Sequence, residues 1–213
     1  MFVKQFLTGG DRNFGYFAAD EATKLAVVID PSYNPKMIVD FAKEKDYKIE
    51  YIFITHNHID HTNGNEEIYK LTGVRPLLLG NVDSKTGKTV VDGELFPLGE
   101  LTIEILHTPG HTSDSMCVYI SDVVFTGDTL FVGKVGGTDL GENARIEYNS
   151  LHNKLLKLPD STRVFSGHNY GVAPESTILH EKQTNPFLQQ PDIEAFIDLK
   201  RNWAEFKQIH GIA

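Results

Sequence analysis

Four side chains that can bind a metal ion occur within six residues, directly after a predicted buried strand. The strand is predicted over residues 50–55, with the sequence Glu-Tyr-Ile-Phe-Ile-Thr, and it is followed by His56, His58, Asp60 and His61. Alternate side chains of an extended chain point to the same side, so we expect His56, His58 and Asp60 to converge on one point. His61 follows as the chain turns toward the next helix. Imidazole and carboxylate ligands without a thiolate suit zinc, iron or manganese, and the run therefore predicts a metal site.

Three further candidate ligands lie at or near the ends of other predicted strands, and each directly follows a glycine. They are His111, Asp128 and His168. Glycine permits a sharp turn at each of these positions. A chance grouping is disfavoured because every member lies near a predicted strand end or turn. The remaining histidines are interpreted as surface or core residues without a metal, and they are His107, His152, His180 and His210.

The length of the chain predicts one domain over residues 1–213, and hydrophobic periodicity predicts an α/β fold with a short C-terminal helical extension. The predicted strands cover residues 2–7, 14–19, 24–29, 50–55, 76–79, 101–106, 116–120, 123–125 and 163–166. The predicted helices cover residues 35–45, 65–71, 146–158 and 191–209. The first three strands suggest an antiparallel meander, and a strand, helix, strand unit follows. The chain thus contains two successive blocks in which strands are followed by a helix. Two such blocks predict two facing sheets flanked by helices.

Composition narrows the class of protein and the kinds of partner. Apolar residues make up 40% of the 213 residues and charged residues 23%, which is typical of a folded globular domain. The formal charge is −9, and no stretch concentrates Lys and Arg into a basic stripe, so we expect no nucleic-acid partner. We expect a small-molecule substrate instead, and the sequence leaves a homo-oligomer open.

The single cysteine and the N-terminal sequence bear on location. One cysteine, Cys117, excludes an intramolecular disulfide and fits a reducing compartment. Its apolar neighbours predict a small hydrophobic residue of the core. The first ten residues have no apolar signal region, and the longest aliphatic run, residues 25–29, is far shorter than a membrane span. The sequence therefore predicts a cytoplasmic protein that does not enter the membrane.

The H-x-H-x-D-H run at residues 56–61, followed by His111, Asp128 and His168, resembles the signature of the metallo-β-lactamase superfamily. The resemblance extends from the strand end Val-Ile-Asp-Pro at residues 28–31 as far as His168. It implies an αββα sandwich, two facing mixed sheets flanked by helices, with a metal site at the sheet edge. It also implies that Asp128 bridges two metal ions, one bound by His56, His58 and His111 and the other by Asp60, His61 and His168.

Two subfamilies compete within this resemblance. The sequence Thr-Gly-Asp-Thr-Leu-Phe at residues 126–131 and Gly-His-Asn-Tyr at residues 167–170 resemble the type II glyoxalases, which hydrolyse hydroxyacylglutathione thioesters. Residues 176–188, with Thr138 and Asp139, resemble the persulfide dioxygenases, which use one iron ion. Sequence alone does not separate these two activities. Both subfamilies usually carry a basic residue where this chain has Gly137, and Lys134 is the candidate to compensate in holding glutathione.

The leading hypothesis is a metal-dependent hydrolase of a thioester or similar small acyl compound. It implies two divalent metal ions, with zinc expected and iron as the alternative, and a glutathione conjugate is a candidate substrate. Asp60 is expected to orient the attacking water, and Tyr170 to donate to the oxyanion or the substrate. The alternative is a mononuclear iron persulfide dioxygenase that uses His56, His111 and Asp128. A metal-binding module without turnover is disfavoured, because structural sites need about four ligands and are commonly rich in cysteine.

Overall fold

The computed structural model describes residues 1–211, and its first layer of strands is a five-stranded mixed sheet. The strands lie in the order β1-β2-β3-β4-β5, and they are β1 (Phe2–Gly9), β2 (Asn13–Asp20), β3 (Leu25–Ile29), β4 (Lys48–Phe53) and β5 (Pro76–Leu77). Strands β1, β2 and β3 form the predicted antiparallel meander. Strands β3 and β4 run parallel, so the chain between them must cross the face of the sheet.

The second sheet has six strands in the order β13-β12-β9-β8-β7-β6. Its strands are β6 (Leu95–Leu98), β7 (Leu101–His107), β8 (Met116–Ile120), β9 (Val123–Gly127), β12 (Arg163–Ser166) and β13 (Ser176–Thr177). Strand β12 runs parallel to β9, whereas the other pairs are antiparallel. A separate two-stranded hairpin is formed by β10 (Leu130–Phe131) and β11 (Lys134–Val135).

Helices cover the outer face of each sheet. They are α1 (Pro35–Glu44), α2 (Ile59–Thr62), α3 (Asn65–Thr72), α4 (Glu142–Asn153), α5 (Ile178–Thr184), α6 (Ile193–Arg201) and α7 (Trp203–His210), with a 3₁₀ turn at Leu155–Lys157. Helix α1 begins after Asn34, whose side chain accepts the N–H of Met37, and Pro35 occupies the first turn, where its missing N–H costs nothing.

Three groups of buried side chains form the core. The group between the sheets is rich in aromatic rings, with Tyr16 of the first sheet 5.0 Å from Phe125 of the second. A second group joins the first sheet to α1 and α3 through residues such as Ile38 and Ile68. The third joins the second sheet to α4, α5 and α6 through residues such as Phe196. This four-layer arrangement confirms the predicted αββα sandwich.

Two of the predicted helices differ from the structure. Residues 191–209 were expected to form one amphipathic helix, but α6 and α7 are separate helices that meet at Asn202, whose φ and ψ of −102° and 15° depart from helical values. Asparagine is a weak helix former, and the break lets Trp203 pack on Phe187 at 4.7 Å between ring centroids. The helix expected at residues 146–158 begins earlier, at Glu142, and gives way to the 3₁₀ turn.

In the part of the chain that the structure describes, no helix combines the length and apolar character needed to cross a bilayer.

Candidate metal centre

All seven candidate ligands lie at one edge of the sandwich, because the strands that precede them end there. His56 follows β4, Asp128 directly follows β9, and His168 follows β12. Strands β9 and β12 are parallel neighbours, and Gly127 pairs with Ser166, so their carboxyl ends reach the same point. The loop between β7 and β8 brings His111 to the same place. This is the position where open sheets commonly bind ligands.

The candidate ligands form two triads. In the first, Nδ1 of His58 lies 3.0 Å from Nε2 of His56 and 3.1 Å from Nε2 of His111. In the second, Nε2 of His168 lies 3.3 Å from both Nε2 of His61 and Oδ2 of Asp60. A tetrahedral zinc ion holds nitrogen ligands at about 2.0–2.1 Å, which separates two ligand atoms by about 3.3 Å. The spacing within each triad therefore fits a bound cation.

Asp128 lies between the triads. Its Oδ1 is 3.4 Å from Nε2 of His61, and its Oδ2 is 3.4 Å from Nε2 of His168 and 3.6 Å from Nε2 of His111. Oδ1 is buried and has no hydrogen-bond partner among the described residues. Burying a carboxylate without a partner is costly, so this oxygen also fits a cation. One carboxylate thus reaches both triads.

Asp60 does not belong to the triad that side-chain alternation in the sequence predicted for it. An extended run would have placed Asp60 with His56 and His58, but it groups with His61 and His168. The reason is that α2 begins at Ile59, directly after His58. The turn of that helix carries Asp60 to the second triad. None of the other four histidines belongs to a triad; His107, for example, bonds through Nε2 to the carbonyl of Ser113 at 2.9 Å.

Each histidine of the centre except His58 is oriented by a hydrogen bond at Nδ1. Nδ1 of His61 donates to Oδ2 of Asp30 at 2.9 Å, and Nδ1 of His111 donates to the carbonyl of Gly137 at 2.7 Å. Nδ1 of His168 donates to the carbonyl of Asp11 at 2.9 Å. These acceptors fix the tautomer whose Nε2 lone pair faces the centre. Nδ1 of His56 lies 3.1 Å from the Thr55 hydroxyl, which completes the set.

Burial and neighbouring charges set the protonation of the ligands. Burial lowers the pKa of His56 to about 3, with a further contribution from His61, and burial also lowers the pKa of His111. Burial opposes a charge on His61, but the carboxylates of Asp30 and Asp128 outweigh it and raise its pKa. His56 and His111 are therefore neutral near pH 7, as metal coordination requires.

Two residues at the junction of β1 and β2, Asp11 and Asn13, lie against the centre, and neither was among the predicted site residues. The buried side chain of Asn13 donates through Nδ2 to Oδ2 of Asp60 at 3.0 Å and to its carbonyl at 3.3 Å. The carbonyl of Asp11 orients His168, and the N–H of Phe14 donates to the carbonyl of Gly167 at 2.8 Å. These contacts join residues between 47 and 157 positions apart, which no local sequence pattern signals.

The glycines that directly precede His111, Asp128 and His168 are needed for different reasons. Gly110 has φ +141° and Gly127 has φ +49°, as the expected sharp turns require. The chain also bends at Gly167, but its φ is not positive, so the backbone conformation there does not require glycine. Its small size is what matters, because a Cβ atom at Gly167 would lie 2.4 Å from Oδ1 of Asp128.

Tyr170 lies beside the second triad. Its ring stacks on that of His168, with centroids 4.5 Å apart and 6° between planes, and its hydroxyl donates to Oδ2 of Asp11 at 2.6 Å. Burial and this carboxylate raise the pKa of Tyr170, so the hydroxyl keeps its proton. Nζ of Lys134 lies 4.2 Å from the centroid of the same ring.

A cavity of about 610 Å³ adjoins Tyr170 on the side of α7. Its walls include Val132, Lys134, Trp203 and Lys207. Burial and the nearby charge of Lys207 lower the pKa of Lys134. Within residues 1–211 neither lysine forms an ion pair, so both are available to an anionic group.

The αββα fold and the clustered histidine and carboxylate side chains are consistent with a metal site of the metallo-β-lactamase type, and comparison with known proteins agrees. The family model described as "Metallo-beta-lactamase superfamily" matches residues 13–80 and 78–168. The chain belongs to the metallo-β-lactamase superfamily.

Its relatives include proteins named as hydroxyacylglutathione and zinc-dependent hydrolases. The chain is 34% identical over 202 residues to the probable hydroxyacylglutathione hydrolase of Schizosaccharomyces pombe, covering 91% of this chain and 76% of that one. It is 29% identical to a probable polyketide biosynthesis zinc-dependent hydrolase of Bacillus velezensis, covering 88% and 87%. The crystal structure of ETHE1 from Myxococcus xanthus superimposes with a TM-score of 0.85 at 33% identity, covering 95% of this chain and 91% of that one.

Proposed function

We propose that this protein is a metal-dependent hydrolase that cleaves a thioester or similar small acyl compound, as the type II glyoxalases do. The observation that carries the proposal is the pair of triads that share the buried carboxylate of Asp128. Seven ligands exceed what one cation needs, and they suit two. The similarity to hydroxyacylglutathione and zinc-dependent hydrolases supports the same reaction class and favours zinc.

The proposed metal ligands follow the two triads. One cation would be held by His56, His58 and His111, the other by Asp60, His61 and His168, with Asp128 between them. When bound, two divalent cations supply an acidified water and a Lewis acid for the scissile carbonyl.

Asp60 would orient the attacking water and hold its proton. One carboxylate oxygen is fixed by Asn13, and the Asp60 side chain remains 28% exposed, so substrate and water have access to it. The hydrogen bond from Asn13 helps to keep the pKa of Asp60 low against the opposing effect of burial, so the group is available as an acceptor near pH 7. Tyr170 would donate its hydroxyl to the substrate in place of Asp11, because it lies directly against His168.

The cavity beside Tyr170 would take the carrier portion of the substrate. Lys134 and Lys207 offer two cations, and Trp203 and Val132 offer an apolar wall. A carrier with a carboxylate end, such as glutathione, has this chemistry. Gly137 lacks the basic side chain that the related enzymes carry, so in this proposal the two lysines replace it.

A mononuclear iron persulfide dioxygenase is the second candidate, favoured by the similarity to ETHE1 over nearly the whole chain. It would use His56, His111 and Asp128 as a face of two histidines and one carboxylate. Nε2 of His111 lies 3.6 Å from Oδ2 of Asp128, which allows such a face. The remaining candidate ligands would then orient the site.

We also propose that the protein is cytoplasmic and acts on a small-molecule substrate. We propose further that its residues form one domain. Cys117 is fully buried, and burial raises the pKa of its thiol to about 12, so it has the properties of a core residue. Helices α5 and α6 pack in the same core group as β9 and β12, which supports treating the C-terminal helices as part of this domain.

The test combines metal analysis with two assays. Protein purified without added metal is analysed for zinc and iron, and is then assayed with S-lactoylglutathione, a smaller thioester and glutathione persulfide, with oxygen consumption recorded. We expect about two zinc ions per chain and cleavage of a thioester. About one iron ion, efficient persulfide oxidation and no thioester cleavage would replace the hydrolase with the dioxygenase.

A further inference from the structure

A buried ion pair lies behind the metal centre and contributes no ligand to it. Nζ of Lys200, on α6, donates to Oε2 of Glu147, on α4, and the two side chains are only 6% and 0% exposed. A buried ion pair is generally no more stabilising than apolar side chains of similar volume. Its contacts with other parts of the chain therefore indicate what it does.

Lys200 fixes a peptide group next to a ligand histidine. Its Nζ also donates to the carbonyl of Gly136 at 2.7 Å. The following residue, Gly137, supplies the carbonyl that accepts Nδ1–H of His111 at 2.7 Å. Two successive glycines leave the backbone free to rotate, and a Cβ atom at Gly137 would meet nothing within 4 Å. The bond from Lys200 thus restrains a segment that its own sequence leaves flexible.

Glu147 lies against the backbone on the other side of the same histidine. A Cβ atom at Gly110, directly before His111, would lie 2.3 Å from Cβ of Glu147. A Cβ atom at Gly136 would lie 2.1 Å from the carbonyl oxygen of Asp128 and 3.1 Å from Oε1 of Glu147. The ion pair therefore touches the chain just before His111 and the loop that orients it, beside the backbone of Asp128.

We propose that Lys200, held by Glu147, is a positioning residue that fixes His111 for metal binding and so determines the affinity of the first triad. The bond to Gly136 restrains the neighbouring Gly137 carbonyl, which in turn sets the tautomer and direction of the His111 ring. Loss of such an orienting partner typically weakens metal binding about 10- to 100-fold. The inference rests on the metal centre of the proposed function and is independent of the substrate.

The test is zinc binding by Lys200→Met, measured by competition with a chromophoric chelator, together with the visible spectrum of the cobalt-substituted protein. We expect the affinity for one of two zinc ions to fall about 10- to 100-fold and the cobalt spectrum to change. The matched control is Arg201→Met on the same helix, because Arg201 pairs with Asp198 at 3.2 Å on an exposed face. The control should bind zinc as the unmodified protein does.

A double variant separates positioning from the effect of a stranded charge. In Lys200→Met alone, Glu147 is left buried without its partner, which destabilises the fold. Glu147→Leu combined with Lys200→Met removes both charges at similar volume. Folding is followed by circular dichroism of the metal-free protein. A folded double variant with weakened zinc binding supports the proposal. Unchanged zinc affinity in the folded double variant would overturn it, whereas failure of the unmodified protein to bind zinc would overturn the proposed metal centre itself.

Discussion

Replacing Asp30 by asparagine should reverse the tautomer of His61. Oδ1 of Asp30 accepts the N–H of Thr55 at 2.8 Å, and Oδ2 accepts the Thr55 hydroxyl at 2.7 Å and Nδ1–H of His61 at 2.9 Å. Asparagine has only one acceptor oxygen, and the N–H of Thr55 retains it. The amide NH₂ would then face Nδ1 of His61. The hydroxyl of Thr55 can rotate to accept, but the imidazole can avoid a clash of donors only by moving its proton to Nε2.

The expected loss of metal affinity follows from the surroundings of Nε2 of His61. This nitrogen lies 3.3 Å from Nε2 of His168 and 3.4 Å from Oδ1 of Asp128, so a proton there would occupy the place of the cation. Loss of a carboxylate that orients a ligand histidine typically weakens metal binding about 10- to 100-fold. Loss of a charged hydrogen bond in the buried interior should also lower the free energy of unfolding by about 1.5–3 kcal/mol.

The assay for Asp30→Asn is chelator competition for zinc, combined with long-range nitrogen–proton NMR of the histidine rings, which distinguishes the tautomers. Asp83→Asn is the control, because Asp83 is another buried carboxylate that accepts from a threonine, the Thr86 hydroxyl at 2.6 Å, outside the metal centre. The control should lose stability but keep zinc affinity. An unchanged His61 tautomer in Asp30→Asn with zinc affinity within about twofold of the unmodified protein would refute the reasoning.

Three further outcomes are expected. Asp128→Ala should abolish turnover and lower the bound metal, as seen by elemental analysis, whereas His152→Ala should leave the metal content unchanged; the opposite pattern would show that the ligands were wrongly chosen. Lys134→Ala should raise KM for S-lactoylglutathione about 10- to 150-fold, with little change for a thioester without a charged carrier, in steady-state kinetics. Metal-free His56→Leu should lose less stability than the unmodified chain between pH 6.5 and 4 in denaturant titrations. The reason is that the pKa of His56 is about 3 when folded and about 6.5 when unfolded, so acidification in this range protonates only the unfolded state, a penalty of about 1.4 kcal/mol per pH unit. Equal pH slopes for the two chains would contradict this pKa.

Local sequence patterns predicted most of the longer strands and helices and the chemical identity of the candidate ligands. Side-chain alternation and helical periodicity depend on a few neighbouring residues, which is why β7 was predicted within one residue at its end and α1 likewise. The residue types and their places after strands were enough to predict a metal site of histidine and carboxylate. The same patterns predicted two facing sheets flanked by helices, and the family resemblance implied the αββα sandwich, which the structure confirms.

Only the tertiary structure decided how those residues are grouped and supported. Asp60 joins His61 and His168 because a short helix begins just after His58, and Asn13 reaches Asp60 across 47 positions of chain. Lys200 lies far along the chain from the centre that it supports and is brought there by the packing of α6 against the second sheet. Such contacts depend on how layers pack and how loops close, and these are properties of the whole chain rather than of any local window. The ligand types were therefore readable from the sequence, whereas their orientation and supporting hydrogen bonds depended on the assembled fold.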